Sequence, residues 1–176
     1  MDNEGPLGET KLPQQGERIM AIYIKFSGID GEVDIINHEK WTEIRSFNVG
    51  VHKPTSGRTD IDAPVNRTEF HDIHLSKNTD ISSPLLWLAC AQGTPFETVN
   101  VHYVTTTKEG PNAITKYELQ RVFITMFEQE TTGDRPSDRM TLSYMMFRNI
   151  QVPVNPKGVL GPEIEFFWNV PQGKVV

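Results

Sequence analysis

Ile22-Tyr23-Ile24-Lys25-Phe26, with the turn Gly28-Ile29-Asp30-Gly31 behind it, decides the fold. Ile22, Ile24 and Phe26 alternate with Tyr23 and Lys25. That is the two-residue period of a strand with one face buried. Two glycines bracketing Ile29-Asp30 mark a turn, so the chain doubles back rather than entering a helix.

The same punctuation continues outward. A second strand is expected over 41–49, where Trp41, Phe47 and Val49 share a parity with Glu43 and Arg45. The broken alternation predicts a bulge, or a strand with both faces occupied. Residues 50–66 hold Pro54, Ser56, Gly57, Asp60, Asp62 and Pro64 without any period, a long loop of the kind that carries function or disorder. Further strands are expected over 68–75, 98–106, 116–127, 140–150 and 163–170, the last with Ile164, Phe166, Trp168 and Val170 inward. Gly133-Asp134-Arg135-Pro136 is a turn.

One short helix interrupts the strands, over about residues 84–92. Ser82 or Ser83 can accept from the free N–H groups of its first turn, Pro84 suits its first position, and Gly93 can end it in the left-handed region. Leu85-Leu86-Trp87-Leu88-Ala89-Cys90-Ala91 is apolar all round, so every side of this helix needs cover. Many strands and one helix predict an all-β fold, either a two-sheet sandwich or a closed barrel. The barrel is favoured, because long strands would otherwise leave open sheet edges. Residues 1–19 are rich in Gly, Pro, Gln and Glu and are expected to be a disordered extension, with Met20 a natural start. Residues 20–176 are expected to form a single domain.

Bulk properties narrow the function. The 176 residues carry a net charge of −6, which disfavours nucleic acid as a partner and gives no pull towards an anionic membrane. Cys90 alone cannot form an internal disulfide. No apolar run approaches the ~20 residues of a membrane span, and no secretory leader is recognisable, so synthesis in the cytoplasm is expected.

Catalytic chemistry finds little support. His71 and His74 would point to opposite faces of one strand, and His38, His52 and His102 lack partners at ligand spacing, so no metal and no cofactor are expected. Cys90 in an apolar helix is a buried small hydrophobe rather than a nucleophile. Asp60 and Asp62 are solvated loop carboxylates, and Asn66-Arg67-Thr68 is a chance sequon. No phosphate loop or nucleophile elbow occurs. The chain is therefore not expected to be an enzyme. It holds instead more apolar surface than one core needs, which points to contacts between copies.

These residues resemble the haemolysin-coregulated proteins, Hcp, of bacterial type VI secretion. The opening Met20-Ala21-Ile22-Tyr23-Ile24-Lys25-Phe26 with Gly28-Ile29-Asp30-Gly31-Glu32 carries the likeness. So do His38, Trp41, Glu43, Ser46 and Phe47, then Ser83-Pro84-Leu85-Leu86-Trp87-Leu88-Ala89 with Gly93, Phe96 and Val99. Tyr117-Glu118-Leu119, Val122, Arg135-Pro136, Leu142 and Tyr144 complete it. The resemblance implies a compact two-sheet β-barrel with one flanking helix. It also implies rings of six that stack into an inner tube, expelled by a contractile sheath. The implied partners are further copies of the chain, a valine-glycine repeat (VgrG) spike, sheath proteins and small effectors in the lumen. Secretion by the type VI machine, into the medium or target cells, follows.

In that family the loop after the second strand reaches the neighbouring ring. Contacts between subunits or rings are therefore expected at Val51, Lys53, Pro54, Arg58, Asp60, Ile61 and Asp62, and on the helix at Leu85, Leu86 and Trp87. The segment before Met20 and residues 152–159 depart from the family pattern. A phage-like tail-tube protein or a stand-alone cargo chaperone is the alternative reading.

Overall fold

The computed structural model describes residues 20–53, 68–107, 110–131 and 135–176. The strands are β1 (Met20–Phe26), β2 (Thr42–Asn48), β3 (Val51–His52), β4 (Glu69–Phe70), β5 (Ile73–Asn78), β6 (Phe96–Thr107), β7 (Gly110–Glu130), β8 (Ser137–Ser143), β9 (Met146–Gln151), β10 (Ile164–Asn169) and β11 (Lys174–Val175). The helix, α1 (Ser83–Gln92), lies between β5 and β6.

All pairings are antiparallel. Strands β7, β6, β1, β2, β5 and β8 pair in that order, and β8 returns to β7, closing a six-stranded barrel. Ile22, Ile24 and Phe26 of β1 stand opposite Tyr103, Val101 and Val99 of β6, so their shared parity faces the interior. Phe26, Ile24, Val99, Val101, Leu119 and Leu142 are buried there in one cluster. Each fully buried large aliphatic side chain stabilises the fold by about 1.5–3 kcal/mol.

β7 belongs to two structures at once. Its first half pairs with β9, Thr115 opposite Gln151 through Gln120 opposite Met146. Its second half pairs with β8, from Phe123 opposite Ser143 to Glu130 opposite Ser137. The change of partner falls at Arg121, which adopts a left-handed φ of 52°. β8 and β9 are thus two lengths of one interrupted strand, parted at Tyr144-Met145. β8 closes the barrel, and β9 leads into an outer leaf with β10 and β11. The single strand expected over 140–150 is corrected to this broken pair. The strand expected over 68–75 also divides: its start is β4, paired with β3 in a separate ribbon, and its end is β5 of the barrel.

The irregular parity of β2 marks a bulge at Arg45, where the register with β5 shifts between Ile44 and Ser46. At α1, Gly93 takes φ 65° and its N–H returns to Cys90 O, and Pro84 sits in the first turn. Ser82 makes no side-chain cap to the helix N–H groups. Its N–H and hydroxyl turn back to Asp80 Oδ1 instead. Among the described residues no helix is long and apolar enough to cross a membrane.

Candidate assembly surfaces

The helix is covered on one side only. Ser83, Leu86 and Ala89 are buried, and Leu86 and Ala89 join the barrel cluster, so α1 packs this face against the barrel, chiefly on β7. Leu86, expected at an intersubunit contact, is instead enclosed within its own subunit with no exposed surface. Leu85, Trp87 and Leu88 remain about half exposed, and Ile81 just ahead of the helix is exposed too. Trp87 rests on Phe127 of β7 at 5.3 Å between ring centres. Thr79, Pro84, Trp87, Leu88, Ala91 and Gln129 line an apolar groove of about 490 Å³ along this side.

A second apolar surface lies on the outer leaf. Register places Ile164, Phe166 and Trp168 on the face of Phe147 and Leu119, the face that lines the barrel. Trp168 is covered by Phe70 of the ribbon at 5.7 Å. Phe166 reaches only the edge of that cover, touching Phe147 at 5.8 Å, and Ile164 lies beyond it. Ile164 is 65% and Phe166 45% exposed. Their expected inward burial is therefore corrected: the barrel interior ends before the leaf does. The opposite face is held by ion pairs, with Arg148 between Glu118 (2.9 Å) and Glu165 (2.6 Å), and Lys116 on Glu163 (2.7 Å).

Val51 and Lys53 stand exposed at the base of the β3–β4 ribbon. Pro54, Arg58, Asp60, Ile61 and Asp62 lie outside the described residues. The tail 1–19, the sequon Asn66-Arg67 and the Gly133-Asp134 turn lie outside them as well.

Two polar nodes brace these surfaces, and sequence reading missed both. Under the start of α1, Lys77 Nζ meets Asp138 Oδ2 (2.9 Å), Asp80 Oδ1 (2.7 Å) and Ser83 Oγ (2.7 Å). Asp138 also accepts from Ser83 Oγ, Thr79 Oγ1 (2.8 Å) and Gln129 Nε2 (3.0 Å). Burial pushes the Asp138 carboxyl up, but bonds from Ser83, Lys77, Gln129 and Thr79 outweigh it and hold it below its ordinary value.

The second node joins His38 Nε2 to His102 Nδ1 at 2.9 Å. Trp41 packs tilted against His102 with ring centres 4.5 Å apart, and Tyr23 lies 5.3 Å from His38. Burial, then His38 and Lys116, push His102 down to about 4. Their ring centres are 5.1 Å apart. That is close to the greatest separation a 2.9 Å contact permits, so each nitrogen points at the other and no wedge is left for a shared ion. No group of three or more metal-ligating side chains occurs among the described residues. Cys90 is half-buried.

A family model described as "Type VI secretion system effector, Hcp" matches residues 23–152. The chain belongs to the Hcp family. Solved structures share the Hcp fold. One described as a type six secretion system protein is 24% identical with a TM-score of 0.84, covering 90% of this chain and all of its own. Hcp1 from Salmonella typhimurium is 18% identical at TM-score 0.72, covering 89% and 99%. A type VI secretion system effector from Yersinia pestis is 19% identical at 0.65, covering 85% and 99%. No curated protein sequence matches the chain. Family membership makes this Hcp a structural tube protein of type VI secretion rather than a member of a known enzyme family.

Proposed function

We propose that the chain forms rings of six, that the rings stack into the inner tube of a type VI machine, and that a contractile sheath expels the tube with small effectors in its lumen. One observation carries the reading: the subunit exposes two different apolar surfaces, the Leu85–Trp87–Leu88 side of α1 and the Ile164–Phe166 end of the outer leaf. Unlike surfaces on one chain meet head to tail, and such contacts make rings when the rotation closes. Specific interfaces bury ~1,200–2,000 Å² in total.

Leu85 and Trp87, with Leu88, Ile164 and Phe166, are assigned to the contact between neighbours in a ring. Val51, Lys53, Pro54, Arg58, Asp60, Ile61 and Asp62 are assigned to the contact between rings, with residues 20–176 as one unit. A VgrG spike at the tube tip and sheath proteins around it are the remaining partners. Release through the type VI machine follows from that place in the tube.

Native mass spectrometry and negative-stain imaging test the reading. Annular particles at six times the 20.0 kDa chain mass are expected. A monomer at micromolar concentration defeats it.

A further inference from the structure

His38 and His102 are 64 positions apart in sequence and joined by a single hydrogen bond in space. The bond ties the connection between β1 and β2 to the wall of the barrel. That connection is a small ribbon of its own: Val33 N–H donates to Trp41 O (2.9 Å), Lys40 N–H to Val33 O (2.7 Å) and Gly31 N–H to Lys40 O (2.8 Å). That ladder holds the ribbon to itself; among the described residues, its contacts with β6 are aromatic and imidazole, while Lys25 of β1 holds it through the Lys40 carbonyl (2.9 Å). His38 is only 3% exposed and packs on Tyr23 of β1, Trp41 and His102. Its Nδ1 is buried without a hydrogen-bond partner.

Such a bond requires one ring to donate and the other to accept, so at most one of the two imidazoles is charged in the closed state. A first proton puts a cation among Tyr23, Trp41 and His102. A second leaves two N–H donors facing each other at 2.9 Å. The surrounding charges offer little relief. On β7, Lys116 lines the same cavity of about 270 Å³ and is itself positive. Glu163, ahead of β10, is committed to Lys116. On β2, Glu43 acts on Tyr23. Within the ribbon, Asp30 is held by Lys25 and Lys40. Only Glu39 and the Ile36 carbonyl favour a charge on His38, and burial outweighs them.

We propose that the His38–His102 pair is an acid-operated latch: proton uptake by the two rings parts them and releases residues 33–41 from β6 while the barrel stays closed. The release does not end at the ribbon. Glu32, beside it, accepts the N–H of Ile81 (3.2 Å) at the entrance to α1, so an open latch loosens the border of the exposed helix face.

Hydrogen–deuterium exchange with mass spectrometry, corrected for the intrinsic pH dependence of exchange, tests this on the full chain in its native assembly. Open rings take up protons at ordinary imidazole values. Protection over 33–41 is therefore expected to fall by at least roughly tenfold between pH 7 and pH 5 while β6 and β7 keep theirs. In His102→Phe, which keeps a ring against Trp41 but binds no proton, most of the fall is lost. Unchanged protection over 33–41, loss shared with β6 and β7, or an equal fall in His102→Phe overturns the latch. Should that variant not fold, C2-hydrogen exchange of the histidines in the wild-type chain decides. A His102 midpoint well below the ordinary value, coinciding with ribbon opening, supports the latch, and an ordinary midpoint overturns it.

Discussion

Lys77 and Asp138 form an ion pair at 2.9 Å in which neither side chain retains any exposed surface. One lies on β5 and the other on β8, and Ser83 of α1 bonds to both. The pair fixes where the helix begins against the barrel.

Removing one charge strands the others. Lys77→Met leaves Asp138 buried and uncompensated and Asp80 without its cation, and a loss of about 3–5 kcal/mol in urea unfolding is expected. Asp138→Asn keeps shape and some hydrogen bonds, and is expected to cost less, about 1.5–3 kcal/mol. A Lys77→Met cost below that of Asp138→Asn would show that the charges are not what holds the node.

The same carboxyl sets an acid limit. Its folded value lies below the ordinary 3.8, so below that value the unfolded chain takes up the proton first. The contribution is complete above the ordinary carboxylate range and is lost as pH falls through the folded value. Denaturation midpoints measured from pH 5 to pH 2 should fall more steeply in wild type than in Asp138→Asn.

Two leucines on α1, Leu86 and Leu88, should separate folding from assembly. Leu86→Ala opens a cavity in the barrel cluster and is expected to cost about 2–5 kcal/mol. Leu88→Glu touches the exposed side. It should leave the unfolding of the isolated subunit within ~0.5 kcal/mol and shift the assembly towards monomer in native mass spectrometry. An intact ring in Leu88→Glu removes this side of the helix from the interface.

Much of the barrel was legible because its strands keep simple parity. Val99, Val101 and Tyr103 face in along β6, and β1 alternates against them. Gly93 and Pro84 bounded the helix correctly. Parity said nothing, however, about where an interior stops. Ile164 and Phe166 carry the inward pattern yet outrun the residues that would cover them. The break at Tyr144-Met145 was hidden because apolar residues continue through it. His38 with His102, and Lys77 with Asp138, are brought together only by strand register far along the chain, so no local spacing announces them.

Arg121 is a backbone test. A left-handed residue without need of its side chain favours glycine, whereas a β-branched replacement clashes with its own carbonyl. Arg121→Gly is expected to unfold within ~1 kcal/mol of wild type, and Arg121→Val to lose about 1–2 kcal/mol. Equal midpoints for the two variants would mean that the backbone relaxes out of this conformation.

Gly31 is a space test. A Cβ there would overlap the Trp41 carbonyl and Thr42 Oγ1, and backbone cannot step aside. Gly31→Ala is expected to lose about 3 kcal/mol or more by thermal or urea unfolding.

The shared strand has a mechanical consequence. A load applied to the outer leaf passes into the barrel along the unbroken backbone of β7 and across the Tyr144-Met145 step. Stretching that path means extending covalent chain, not peeling one strand from the next. A tube under thrust would gain stiffness along this spine and give way first at β10 and β11, which join the sheet through the pairing of β10 with β9.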